Sequence, residues 1–195
     1  MYGFDQETPE SQGVNPMPAG INEDVKLMDI AYEPSKEGST DMCLSFYFEN
    51  KDGQQLRHVE WPIDPEETRK RAMAAGEDPQ TAVQNRYKAQ GIRIKHIVTK
   101  VIPAEKAVVK AETFQQYATG VSQLVKAALP AGPFRLKVLL NKKDYSTLPP
   151  YTPFIEKQEE GVSTGLRIGP KEKIHPASAR SAGTASEMPD DDLPF

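Results

Sequence analysis

Residues 41–49 read Asp-Met-Cys-Leu-Ser-Phe-Tyr-Phe-Glu, with Leu44, Phe46 and Phe48 alternating with Cys43, Ser45 and Tyr47. Alternation of that kind is the two-residue period of a strand with one buried face. Asn50-Lys51-Asp52-Gly53 follows, where Asp and Gly tolerate positive φ, and Gln54 to Ile63 then resumes an extended pattern that Pro62 closes. The two runs predict a β-hairpin. Upstream, Val25 to Tyr32 has apolar residues at 25 and 27 on one phase and at 28, 30 and 32 on the other. A phase switch inside one strand predicts a bulge or strong bend, as in a small barrel.

Downstream the period changes. Pro65-Glu66-Glu67 puts a proline and two carboxylates at the positive end of a helix to about Ala75, and Asp78-Pro79 opens another to about Gln90. Ile92 to Ile102 fits helical spacing through Ile94, Ile97, Val98 and Val101, although Ile92, Ile94, His96 and Val98 also alternate; helix is the expectation. From Lys110 to Leu129, an apolar stripe through Phe114, Tyr117, Val121, Leu124 and Val125 marks a helix that Pro130 stops. A strand returns at Phe134 to Asn141, with Phe134, Leu136, Val138 and Leu140 on one face and Arg135, Lys137 and Leu139 on the other. Thr152 to Lys157 reads as a last strand. Three strands, a helical insertion over 65–129 and two closing strands give the connectivity of the five-stranded oligonucleotide-binding (OB) barrel with its helical link enlarged. The expected fold class is mainly β with a helical insertion between strands 3 and 4.

The ends read differently. Residues 1–20 hold three prolines and three glycines without an apolar period and are expected to be a flexible arm. Half of residues 160–195 are Gly, Pro, Ser, Thr or Ala, a composition that buries too little apolar surface to offset chain entropy, so a disordered tail is expected after a domain over 21–159. The net charge of -4 conceals a segregation: residues 1–63 hold 12 acidic and 4 basic side chains, residues 64–159 hold 10 and 16, and residues 160–195 hold 6 and 4. A basic middle between acidic ends is compatible with a polyanion partner that the ends can mimic or exclude. No window approaches the run of about 18 apolar residues of a membrane helix, and the acidic start lacks the features of a signal peptide, so a cytoplasmic protein without a membrane partner is expected. One cysteine, Cys43, excludes an internal disulfide framework, and His58, His96 and His175 are too scattered for a zinc site, so neither metal nor cofactor is expected.

The chain ends Asp190-Asp191-Asp192-Leu193-Pro194-Phe195. Phe195 joins an apolar ring to the α-carboxylate, a combination that can enter a small hydrophobic pocket while a partner's Arg or Lys pairs with the carboxylate. Leu193 and Pro194 extend the apolar contact, and the three aspartates speed encounter with a basic rim. This tip resembles that of bacterial and phage single-stranded DNA-binding proteins, which end in a flexible linker and the same six residues. The resemblance implies an OB fold that coats single-stranded DNA and a tip that recruits replication, repair and recombination enzymes. The usual bacterial member lacks the helical insertion, so the chain is similar to a divergent phage-type member, expected as monomer or dimer rather than tetramer, in the cytoplasm of a bacterium or infected host.

Contact with single strands needs cations along the phosphates and aromatic faces for stacking. Tyr47 points away from the Leu44/Phe46/Phe48 face, Arg57 and Trp61 share a phase on the next strand, and Arg135 and Lys137 oppose the core face of the fourth. Lys142, Lys143, Tyr145, Tyr151 and Phe154 interleave charge with aromatics in a turn-rich stretch that reads as a loop lining a groove. Structural readings stand beside these: Trp61 shares its phase with Val59 and reads as core, Tyr151 and Phe154 as pins of a proline-rich loop, and Arg69-Lys70-Arg71 as a wet helix face. No phosphate loop or nucleophile elbow is present, and helix-start electrostatics account for Asp64, Glu66 and Glu67, so no enzyme activity is expected. The rival reading is an adaptor or decoy that binds no DNA and occupies host receptors with the same tip; a strand-annealing activity is a variant of the first.

Overall fold

The computed structural model describes residues 15–176. The hairpin forms where alternation placed it: β2 spans Met42–Glu49 and β3 spans Gln55–Glu60, with Phe46 opposite His58 and Tyr47 opposite Arg57. Before them β1, Gly20–Pro34, is long enough to pair with β2 on one side and with β4, Ala131–Leu140, on the other. The phase switch in β1 is a real bend. Its register shifts against β2 between Leu27 and Asp29 and against β4 on both sides of Val25, with Asp24 at φ 54°, so Val25, Leu27 and Ile30 all reach the core. Gly132 of β4 allows this approach: at φ 152°, a Cβ there would lie 2.7 Å from the Val25 carbonyl oxygen.

The insertion holds three helices. In α1, Pro65–Ala74, the Asp64 side chain accepts from the backbone N–H of Glu66 and Glu67 at 2.9 and 3.0 Å. Helix α2 runs unbroken over Pro79–Val101, capped by Asp78, so the two predicted pieces join through Gly91. Helix α3, Phe114–Lys126, begins with a capping box between Thr113 and Gln116 and carries the predicted stripe, with Val121 and Val125 buried and Phe114 and Tyr117 packed against the core. One apolar core joins the inner faces of β1, β2 and β4 to Ile94, Ile97 and Val98 of α2 and to the α3 stripe.

After β4 come β5, Ser146–Thr147, and β6, Ile155–Lys157, both antiparallel to β4. The sheet is open, antiparallel and six-stranded, in the order β3-β2-β1-β4-β5 with β6 also on β4. The expected five strands become six because the two-residue β5 is too short to leave a periodic signal. Among the described residues, no helix is long and apolar enough to cross a membrane.

Both predicted ends need correcting. Met17 is fully buried; its N–H donates to the Gln55 carbonyl at 2.8 Å while its own carbonyl accepts from the Ser146 hydroxyl at 2.7 Å, so the segment bridges β3 and β5. The flexible arm therefore does not extend to residue 20; residues 1–14 lie outside the described residues. Nor does order end at 159. A strap over residues 158–173 lies along β4: Leu166 is buried, and the Leu140 N–H donates to the Lys173 carbonyl at 2.7 Å. What composition could not report is that buried cations of β4 bind this strap.

Candidate nucleic-acid interface

Tyr47 and Arg57 face outward as predicted, and they touch. The Arg57 guanidinium lies 5.8 Å from the Tyr47 ring centre, its Nη2 pairs with Glu33 at 2.9 Å, and the Tyr47 hydroxyl donates to the same carboxylate oxygen. Arg57 also donates to Ser45 Oγ and to the Ser35 carbonyl. Burial pushes the Glu33 carboxyl up, but hydrogen bonds from Tyr47, Ser45 and Arg57 with the Arg57 charge more than offset it and hold it below its ordinary value. Burial and the bond to Glu33 raise the Tyr47 hydroxyl. The recess here, about 580 Å³, is framed by Asp29, Glu33 and Glu49 against Arg57, an acidic setting.

Arg135 and Lys137 oppose the core face of β4 as expected, yet the strap covers them, leaving them 8% and 5% exposed. Arg135 pairs with Glu23 at 3.0 Å and Glu156 at 3.5 Å and donates to the Val162 carbonyl; Lys137 pairs with Glu172 at 2.7 Å and donates to the Arg167 carbonyl. Neither is open to a phosphate, which corrects the expectation for both. Phe154 is corrected as well: it is fully buried, edge-on to His96 with ring centres 5.0 Å apart. Burial, with the Lys100 charge behind it, lowers the His96 pKa. Trp61 errs the other way. It follows β3 on the outward phase and is 47% exposed, so its core reading fails.

The turn-rich group does come together. Asn141 Oδ1 accepts from the N–H of Lys143 and Tyr145 at 2.8 and 3.1 Å, Asp144 takes a left-handed φ of 63°, and the tight turn projects Lys142, Lys143 and Tyr145 into solvent. Lys173 of the strap reaches Asp144 at 2.5 Å. Tyr151, half-exposed, donates its hydroxyl to Glu172 while the Lys137 Nζ sits 5.2 Å from its ring centre. Burial favours the neutral acid of Glu172, but Lys137, Tyr151 and the Gly169 N–H bond its carboxylate and lower its pKa overall. Arg167 and Lys171 line the adjoining recess of about 380 Å³ with Tyr151. Lys142, Lys143, Arg167, Lys171 and Lys173 thus gather around Asp144 and Glu172, with Tyr145 and Tyr151 beside them. Sequence reading missed Arg167, Lys171 and Lys173 because it set their segment aside as tail; the Leu166-Arg167-Ile168 alternation was the available signal.

At Pro150 this end meets a second recess, of about 690 Å³, lined by Trp61, Arg71, Arg86, Arg93, Pro149 and Pro150. Its floor is a buried polar cluster: Arg93 clamps Glu60 through Nε and Nη2 at 2.7 Å each, and Gln90 donates to Glu60 at 3.2 Å and to the Trp61 carbonyl at 2.7 Å. Burial alone would raise the Glu60 pKa, yet hydrogen bonds and charge from His58 and Arg93 bring it down to about 2. The tip, Asp190 to Phe195, lies outside the described residues. Protein-family models, curated proteins and solved structures all give no significant match to this chain.

Proposed function

We propose that this chain is a single-stranded DNA-binding protein, without enzymatic activity, cofactor or metal. It coats exposed strands in replication, recombination or repair and recruits partner enzymes through Asp190 to Phe195. The terminal hexapeptide carries the reading. The sheet order supports it, because three meandering strands, a helical insertion and a fourth strand that returns to β1 resemble the connectivity of an OB barrel, with β5 and β6 added on β4 and Asn15–Met17 set against the β3 edge. So does the cluster of Lys142, Lys143, Arg167 and Lys171 with Tyr145 and Tyr151, which offers exposed cations beside aromatic faces. The protein acts in the cytoplasm of a bacterium or infected host, as monomer or dimer. Filter binding with oligo-dT against duplex DNA tests it: a clear preference for oligo-dT is expected, and equal or absent affinity removes the proposal.

One observation favours the rival. Arg57, Arg135 and Lys137, three cations expected on DNA, already hold internal carboxylates. A decoy that mimics the tip to occupy host receptors needs no free cations on its strands. Deleting 190–195 separates the two: the DNA-binding protein keeps or tightens its hold on oligo-dT and loses enzyme recruitment, whereas the decoy shows no DNA affinity before or after.

A further inference from the structure

We infer that the recess at Trp61 receives an unpaired nucleobase and that helix α2, through Gln90 and Arg93, builds this subsite. The inference rests on the DNA-binding reading and gives it a geometry. The charges lining the recess balance, with Arg71, Arg86 and Arg93 set against Glu60, Asp64 and Glu67. Most are also occupied: Arg93 is held by Glu60, Arg71 pairs with Glu67 at 2.7 Å, and Asp64 caps α1. A phosphate gains little from such a lining. A neutral planar base suits it, because the half-exposed Trp61 indole offers a stacking face and the exposed ring of Pro150 forms another lip of the same recess.

Both lips are tied to one helix. Gln90 bonds the carbonyl of Trp61 itself, and Arg93, held in place by Glu60, reaches the Pro150 carbonyl at 3.5 Å. Glu60 and Gln90 are 4% and 7% exposed, so the Gln90–Glu60 bond that anchors these ties lies in a dry, low-dielectric floor, while the Arg93 bond to Pro150 is at the exposed rim. Gln90 and Arg93 are positioning residues: they need not touch DNA, but they fix the gap a base must enter. One residue beyond Pro150, Tyr151 opens the cationic recess of Arg167 and Lys171, so a strand can keep its phosphates there and turn a base inward. A paired base cannot make that turn without leaving its partner, which ties the subsite to single strands.

The test compares oligo-dT with a strand of equal length whose central nucleotides are abasic. The native protein is expected to bind the abasic strand about tenfold more weakly, within the contribution of one stacked base. Trp61→Ala, at an exposed position, should lose about tenfold on oligo-dT and nothing further on the abasic strand. Gln90→Leu should reproduce that pattern and reduce the quenching of Trp61 fluorescence by oligo-dT, while the salt dependence stays unchanged. If the native protein binds oligo-dT but Trp61→Ala retains the full abasic penalty, the subsite is wrong and the DNA-binding reading stands. If the native protein binds neither strand, the broader reading fails first. Should Gln90→Leu bind like the native protein, the role given to α2 is overturned; should it fail to fold, as thermal melting would show, Arg93→Lys takes its place.

Discussion

Glu60 points into the core side of β3 with Leu56 and His58, opposite Leu44, Phe48 and Phe46 of β2. A carboxylate there is tolerable only because Arg93, 33 residues away, meets it with two hydrogen bonds. Glu60→Gln leaves the Arg93 charge partly buried and unpaired, and a loss of about 3 kcal/mol is expected in urea unfolding. The sign of the pH effect follows from the lowered pKa: the ion pair contributes in full above about 4.5 and is lost as pH falls toward about 2. Native stability should drop through that window, and Glu60→Gln should drop less. His96 works in the same direction at higher pH, since a buried neutral imidazole resists protonation and its contribution disappears as pH falls below about 6.5. This residue-level design was only half legible. Alternation in β3 is plain, but an inward Glu60 and an outward Trp61 invert the usual preference, and the reason lies in α2. For Lys142 and Lys143 the turn chemistry alone was sufficient. Replacing both by Ala should weaken oligo-dT binding and reduce the slope of log affinity against log salt by about 1.4; an unchanged slope would take these two lysines off the DNA.

At the scale of elements, the sequence made visible whatever its own local pattern dictates. The β2–β3 hairpin, the bend in β1 and helix α3 follow from period two, a phase switch and a three-four stripe. The illegible pieces are those held by distant partners. Asn15–Met17 carries no strand pattern, yet Met17 fills the core beside β3; the strap is poor in apolar residues, yet Leu166 is buried and its carbonyls and carboxylates satisfy Arg135 and Lys137. Met17→Ala and Leu166→Ala should each cost about 2–3 kcal/mol, as expected for truncating a buried aliphatic side chain. Chemical denaturation gives the values directly, and a cost under about 0.5 kcal/mol at either site would mean that the segment does not belong to the fold. Helix α2 adds a further lesson. Two stretches were expected there, one to about Gln90 and one from Ile92, but the Ile94, Ile97 and Val98 side chains in the core carry a single helix through Gly91.

For the molecule as a whole, the basic excess of residues 64–159 is unevenly available. Buried pairs consume Arg135 and Lys137, the outer face of β2 and β3 is framed by carboxylates, and exposed Lys142, Lys143, Arg167 and Lys171 lie on the turn at 141–145 and on the strap, while other exposed cations, Lys88, Lys95 and Lys110 among them, lie along and after α2. That placement is compatible with the proposed coating of single strands. Competition binding on the full chain tests it most directly, with labelled oligo-dT challenged by unlabelled oligo-dT or duplex of equal length across a salt series. Oligo-dT is expected to compete far better than duplex, and affinity to fall steeply as salt rises. Equal competition by the two, or no binding at low salt, would contradict it.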